Sequence, residues 1–172
     1  MQTDPYGDAG PASRFLSESH PWSHYEDIEV GLRFPCGSFT FSEDDIVAFA
    51  RRYDPRVFHV DPEGARASLA GRLIASAAHT FCASVGLFVR ATPGLEIVIG
   101  MDLRGIEIPA PVAADQEMRV SGLWLAKRLS RSRPGVGIVT WEAETHAPGG
   151  ILAMRCGSTI LVRCRDAAPA DG

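Results

Sequence analysis

The chain has 172 residues, of which 45% are hydrophobic and 22% charged, and its formal net charge is −4. This length suits one domain with a continuous apolar core, and the composition excludes the disordered and fibrous classes. Because 21 acidic residues outnumber 17 basic ones, no domain-wide positive field is available to hold a phosphate backbone, and nucleic acid is not expected as a partner.

Both ends of the chain differ from its middle in composition. Residues 1–24 are rich in Pro, Gly, Ser, Asp and His without periodicity, and they are predicted to form a flexible arm or an irregular strap over a partner surface. Residues 166–172 are predicted to be a disordered tail, which leaves one domain over residues 25–165. The N-terminus lacks the apolar stretch of a signal peptide, and no apolar run approaches the ~18 residues that span a bilayer. We therefore expect a cytoplasmic protein with no membrane partner.

The cysteines and histidines do not indicate a metal site. The histidines show no HExxH arrangement. The cysteines lack CxxC spacing and are expected to be small buried apolar groups in a reducing compartment; they are Cys36, Cys82, Cys156 and Cys164. No metal and no redox cofactor is predicted.

Two extended stretches and a helix are predicted at the start of the domain. The extended stretches cover residues 28–34 and 38–41. Ser42 then precedes an acidic turn, which is typical of a helix start, and apolar residues recur at helical spacing. The helix is predicted over residues 43–53, because the residue before Pro55 avoids the helical region.

The rest of the domain is predicted to hold two more helices and four strands. An irregular segment over residues 54–60 leads to a short helix over residues 62–69, capped by Asp61 with proline in the first turn. A long helix rich in small residues is predicted over residues 73–88 and is expected to be central and buried. Alternating apolar and polar residues then predict four antiparallel strands, over residues 97–108, 116–127, 136–146 and 151–163.

The segment DPRVFHVDP carries the candidate chemistry. Asp54 and His59 lie five residues apart between two helices, where both side chains can turn toward one pocket, and neither is expected to carry core packing. Imidazole titrates near neutral pH and a carboxylate fixes its tautomer, so the pair suits proton transfer to and from one water. On spacing alone, the structural alternative is favoured, in which Asp54 ends a helix and His59 is a hydrogen-bonded, partly buried histidine.

The order of these elements and three short motifs resemble the MaoC-like (R)-specific enoyl-CoA hydratases and dehydratases over roughly residues 39–163. The motifs are the Asp-x4-His-x-Asp loop, GRLIASAAHT over residues 71–80 and PAPVAAD over residues 109–115. The resemblance implies an α+β hotdog fold, in which a curved antiparallel sheet wraps a long central helix. It further implies a dimer, and a homodimer or dimer of dimers is predicted because one such sheet leaves its long helix and an edge strand incompletely covered. By the same resemblance, Asp54 and His59 of this chain would share the water that is added to, or removed from, an enoyl-CoA double bond.

The resemblance also implies substrate contacts. In the family a backbone N–H at the start of the central helix binds the thioester oxygen, and Ser76 and Ala77 hold the matching positions. A helix N-terminus suits this task because its free N–H groups favour negative charge on the oxygen. Ser84 is a candidate substrate contact or a small residue packed against a strand. His79 is a candidate second proton carrier or a hydrogen-bonded side chain. No cofactor is implied beyond the coenzyme A of the substrate.

The chain departs from the family pattern near both groups of residues. Arg56 and Val57 stand where the family has Asn or Gln followed by Pro, and Ala77 and Ala78 stand where it has Gly and Trp. Two other functions on the same fold therefore stay open: an acyl-CoA thioesterase, and a non-catalytic acyl-CoA-binding or assembly subunit. The Asp-x4-His loop favours hydration over thioester hydrolysis.

A basic cluster beside a hairpin turn has two interpretations. Its side chains could meet the phosphates of coenzyme A, or they could simply be solvated at a hairpin tip; they are Lys127, Arg128, Arg131 and Arg133.

Overall fold

The computed structural model describes residues 14–167, and within them the strands form one antiparallel sheet in the order β1-β2-β4-β5-β6-β3. The strands are β1 (Arg14–Ser17), β2 (Arg33–Thr40), β3 (Ile97–Glu107), β4 (Met118–Leu129), β5 (Val136–Ala147) and β6 (Ile151–Arg163). The helices are α1 (Glu43–Tyr53), α2 (Val57–Val60), α3 (Pro62–Ala67) and α4 (Ala77–Ala91). The three consecutive antiparallel strands β4, β5 and β6 form the centre of the sheet.

The sheet curves around α4, which packs on β2, β4 and β5. In β5 every second side chain is buried, as expected for a strand with one face on the core. Aromatic rings fill the space between helix and sheet: Phe88 of α4 stacks on Trp141 at 3.9 Å and meets Trp124 edge to face at 5.4 Å. The predicted α+β hotdog fold, with a long helix wrapped by an antiparallel sheet, is confirmed.

The predicted ends of the helices agree best with the structure where a capping residue or a proline marks them in the sequence. α1 begins after Ser42, whose hydroxyl accepts a hydrogen bond from the backbone N–H of Asp45, and it ends as predicted before Asp54. The central helix was predicted over residues 73–88, and this is wrong at its start. Residues 73–76 are extended, because Ile74 bridges to Ala113 of the loop before β4 and Ser76 caps the helix.

The predicted flexible arm is wrong for residues 14–24. β1 pairs with β2, and the backbone N–H of His20 donates to the carbonyl of Ala91. Trp22 is buried and meets the ring of Phe34 at 4.6 Å. This segment therefore completes the sheet edge and the core. The remainder of the predicted arm, residues 1–13, and residues 168–172 of the predicted tail lie outside the described residues.

Three of the four cysteines are buried as predicted. Burial raises the pKa of Cys36 to about 12, so its thiol stays uncharged. Cys82 is exposed, which corrects the prediction for that residue; it lies on the side of α4 that the sheet does not cover.

Across residues 14–167, no helix has the length and apolar character that crossing a membrane requires.

Candidate active site

Asp54 and His59 are positioned by the end of α1 and the single turn of α2. The backbone N–H of Asp54 closes α1 by donating to Ala50, and Pro55 prevents the helix from continuing. The segment over residues 54–60, predicted to be irregular, instead contains α2, and His59 lies inside this turn. This turn brings the side chains of Asp54 and His59, which are five residues apart in the chain, close to each other.

The two side chains meet at 3.5 Å between His59 Nε2 and Asp54 Oδ2. Only 5% of the His59 side chain is exposed, against 21% for Asp54. The prediction that neither side chain carries core packing is therefore wrong for His59. Its Nδ1 lies 2.7 Å from the carbonyl oxygen of Ile74. Because that carbonyl can only accept, Nδ1 carries the proton, and in neutral His59 the lone pair of Nε2 faces Asp54.

Residues 73–76 connect the pair to the start of α4. The backbone N–H of Ile74 donates to Phe58 at 3.2 Å, and that of Ala75 donates to Val112 at 2.8 Å. With the His59 bond, three hydrogen bonds hold this extended segment. The imidazole and the N-terminus of α4 therefore keep a fixed relation to each other.

The other candidate substrate contacts lie along α4. Ser76 is buried, and its hydroxyl caps the helix by accepting from the backbone N–H of His79 at 3.3 Å. Ala77 begins the helix, so its N–H belongs to the first turn, where N–H groups lack a helical partner. Ser84 is fully buried, with its hydroxyl 2.7 Å from that of Thr145 and donating to Thr80. Packing against β5 explains this geometry, and a substrate contact by Ser84 stays a prediction.

Arg56 was noted in the sequence only as a departure from the family, and the structure places it beside the pair. Its Nε lies 3.4 Å from Asp54 Oδ1, the carboxylate oxygen that does not face His59. Asp61, the third position of the motif, instead caps α3 by accepting from the backbone N–H of Glu63 at 3.0 Å.

His79 lies between two aromatic rings, an environment that the sequence did not predict. Phe41 stacks on one face at 3.8 Å and Phe49 on the other at 4.4 Å. Its Nδ1 is buried and has no hydrogen-bond partner among the described residues. Burial lowers the pKa of His79 to about 4, and the smaller effect of the Asp45 charge is in the opposite direction. His79 is therefore neutral at physiological pH.

The basic cluster divides into one structural residue and a group at the hairpin tip. The ammonium group of Lys127 donates to the carbonyl of Ile28 at 2.6 Å and lies over the ring of Tyr25. This lysine ties a core strand to the segment before β2. A role for Arg128, Arg131 and Arg133 with coenzyme A stays a prediction.

A cavity of about 630 Å³ lies on the outer face of the sheet between β2 and β4, and neither Asp54 nor His59 lines it. Tyr53 and Val57, which are close to the pair in the sequence, are large apolar side chains that are exposed. Within residues 14–167, no three His, Cys, Asp or Glu side chains converge as metal ligands.

The fold agrees with comparisons to known proteins. The family model described as the MaoC like domain matches residues 33–147, which is more than half of the chain. The chain belongs to the MaoC-like dehydratase family. The uncharacterized protein YdeM of Bacillus subtilis (strain 168) is 30% identical over 139 residues, covering 80% of this chain and 97% of that protein.

Two solved structures illustrate the likeness. The MaoC-like dehydratase from Rhodospirillum rubrum is 34% identical with a TM-score of 0.77, covering 84% of this chain and 99% of that one. The (R)-hydratase from A. caviae, described as involved in PHA biosynthesis, is 22% identical with a TM-score of 0.64. That comparison covers 78% of this chain and 97% of the hydratase, and it supports the fold alone.

Proposed function

We propose that the protein catalyses the reversible hydration of an enoyl-CoA, or the corresponding dehydration, through Asp54 and His59. The observation that carries the proposal is the hydrogen bond of His59 Nδ1 to Ile74, which in the neutral imidazole makes Nε2 the acceptor, 3.5 Å from Asp54 Oδ2. Membership of the MaoC-like dehydratase family supports the reaction class.

One water molecule can donate a hydrogen bond to both His59 Nε2 and Asp54 Oδ2. Nε2 of neutral His59 and Oδ2 of Asp54 are both acceptors, so they cannot bond to each other directly. A water about 2.8 Å from each can donate one O–H to each. Its oxygen lone pairs then point away from the protein, toward a substrate held against the site. This is the geometry that nucleophilic addition of water requires.

The proton balance follows from this placement. The water oxygen bonds to the β-carbon of the enoyl group while one water proton passes to His59 Nε2. The α-carbon gains a proton from the same pair, so that the protein ends in its starting state. Asp54 stabilises the transient imidazolium, since opposite charges at this distance attract strongly in a partly buried site. Dehydration is the same sequence in reverse.

The start of α4 is the proposed binding site for the thioester oxygen. During hydration, negative charge develops on that oxygen, and a helix N-terminus offers free N–H groups and a favourable dipole. Ser76 and Ala77 lie there, in a segment hydrogen-bonded to the loop that carries His59. Coenzyme A enters only as part of the substrate, and no cofactor is proposed.

The purified protein should hydrate crotonyl-CoA or a longer trans-2-enoyl-CoA, observed as loss of the conjugated absorbance. EDTA should leave the rate unchanged, since the Asp–His pair can activate water without a metal. A thiol reagent in a parallel assay detects free coenzyme A. Release of thiol without loss of the double bond would identify a thioesterase, and inertness toward all enoyl-CoAs would support a binding or assembly subunit.

A homodimer, or a dimer of dimers, is part of the proposal. β3 lies at the edge of the sheet, and its side chains are exposed on both faces. An unpaired strand edge invites pairing with another strand. Its exposed side chains are largely apolar, including Val98, Ile99, Met101, Leu103 and Ile106. A second copy, paired along β3, would cover this surface.

The double variant Ile99→Lys/Leu103→Lys should convert the protein from dimer to monomer at micromolar concentration, because charges on an edge strand oppose pairing. Light scattering coupled to gel filtration measures the mass. Leu125→Lys/Leu129→Lys, which changes two exposed leucines of β4, is the matched control and should stay dimeric. A monomeric wild-type protein in the same measurement would refute the dimer.

A further inference from the structure

We propose that the acyl group of the substrate carries a carboxylate, which the guanidinium group of Arg56 binds. This inference rests on the proposed hydration by Asp54 and His59 and names the class of enoyl-CoA that the site accepts. It starts from the position of Arg56, which lies next to the reacting pair rather than at the edge of the domain.

Arg56 keeps most of its binding capacity free. Its side chain is 67% exposed, and only Nε approaches Asp54, at 3.4 Å. Within the part of the chain that the structure describes, the guanidinium group makes no hydrogen bond. A guanidinium offers five N–H donors in a planar fork that matches a carboxylate. The terminal amino groups can therefore take a carboxylate while Nε stays beside Asp54.

The charge balance of the site favours the same substrate. An acyl carboxylate beside ionised Asp54 would face like-charge repulsion, and Arg56 lies where it can offset both negative charges. The surrounding segment, residues 51–72, contains five arginines and three acidic residues, although the whole chain has a net charge of −4. Those arginines, including Arg51 and Arg66, are exposed. The segment that carries the pair is thus rich in basic residues although the protein as a whole is acidic.

The acyl group is the anionic partner within reach, rather than the phosphates of coenzyme A. In the proposed reaction, the Asp54–His59 pair acts on the double bond, which is part of the acyl group. Because Arg56 lies 3.4 Å from Asp54, the proposal places the bound carboxylate on the acyl carbons beyond that double bond. The phosphates are separated from the thioester by the extended pantetheine arm.

The test compares two substrates with the same number of acyl carbons, trans-2-pentenoyl-CoA and trans-4-carboxybut-2-enoyl-CoA, which differ by a terminal methyl or carboxylate. Wild-type kcat/KM should be at least about tenfold higher for the carboxylated substrate. Arg56→Gln should lower kcat/KM for that substrate, mainly through KM, by at least about tenfold more than it lowers kcat/KM for the neutral one. Arg56→Lys should retain most of the preference. Arg51→Gln, which removes the same charge from an exposed position at the end of α1, is the control.

Each other outcome is decisive. Equal losses on both substrates in Arg56→Gln would overturn the inference, since they would indicate contact with coenzyme A or a general effect on Asp54. A wild-type preference for the neutral substrate would overturn it as well, while leaving the hydratase intact. Inactivity of the wild-type protein toward both substrates, and toward crotonyl-CoA, would remove the proposed function and this inference with it.

Discussion

Asp54→Asn should lower kcat for enoyl-CoA hydration by about 10²–10⁴-fold, the usual contribution of a general acid–base group. The amide keeps the size of the carboxylate but cannot hold the water as a charged acceptor or stabilise the imidazolium. Because Asp54 is partly exposed and bonds to the helix through its backbone, the melting temperature should change little. Turnover and thermal unfolding, measured on the same preparation, separate the two effects. Turnover near that of the wild type would disprove the catalytic role of Asp54.

A substitution at His59 should keep the hydrogen bond that this buried side chain makes, so that its effect on catalysis can be measured separately from its effect on stability. His59→Ala would leave the Ile74 carbonyl without its donor, at a cost of about 1–3 kcal/mol, and so would mix stability with catalysis. His59→Asn is the sharper variant, since its amide N–H can reach the same carbonyl while the Nε2 base is absent. We expect a loss of turnover similar to that of Asp54→Asn with a smaller loss of stability.

The double variant Asp54→Asn/His59→Asn tests whether the two residues act on one water. Residues that act as a unit show strongly non-additive effects, so the double variant should be hardly slower than the slower single variant. Multiplied losses, in contrast, would indicate that Asp54 and His59 serve separate steps.

The elements that could be predicted are marked by residues within or next to the elements themselves. Ser42, the acidic turn after it and Pro55 mark both ends of α1 within the chain segment itself. The alternation in β5 and in the first half of β4 arises because one face of each strand meets the core, and turn residues separate the strands. The Asp–His pair was identified by its spacing and its sequence context, and the structure brings these two side chains together.

The features that could not be predicted depend on distant residues. Trp22 is buried because Phe34 and Trp124 supply the surfaces against which it packs, so its segment has no periodicity of its own. The orientation of His59 depends on the carbonyl of Ile74, fifteen residues along the chain. The contact of Arg56 with Asp54 follows from the turn at Pro55 and the start of α2, which the sequence did not indicate.

Lowering the pH from 7 to about 4 should destabilise the protein through His79. The imidazole is neutral in the fold, with a pKa lowered to about 4 by burial between Phe41 and Phe49, against an ordinary value of 6.5. Above pH 6.5, neither the folded nor the unfolded state binds a proton at His79, so its full stability is present. Between 6.5 and about 4 the unfolded state binds the proton and the folded state does not. Stability is therefore lost as the pH falls, by at most about 3 kcal/mol.

His79→Phe should flatten this part of the stability curve. Phenylalanine can stack between the same two rings, and it removes both the titrating group and the buried Nδ1 that lacks a partner. Urea unfolding at pH 7 and at pH 4.5 gives the free energy of unfolding of both proteins. The carboxylates titrate in both, so the wild-type protein should lose about 2–3 kcal/mol more than the variant between the two pH values. Equal losses would show that His79 accepts a proton in the folded protein, and the ring stack would then not exclude the charged form.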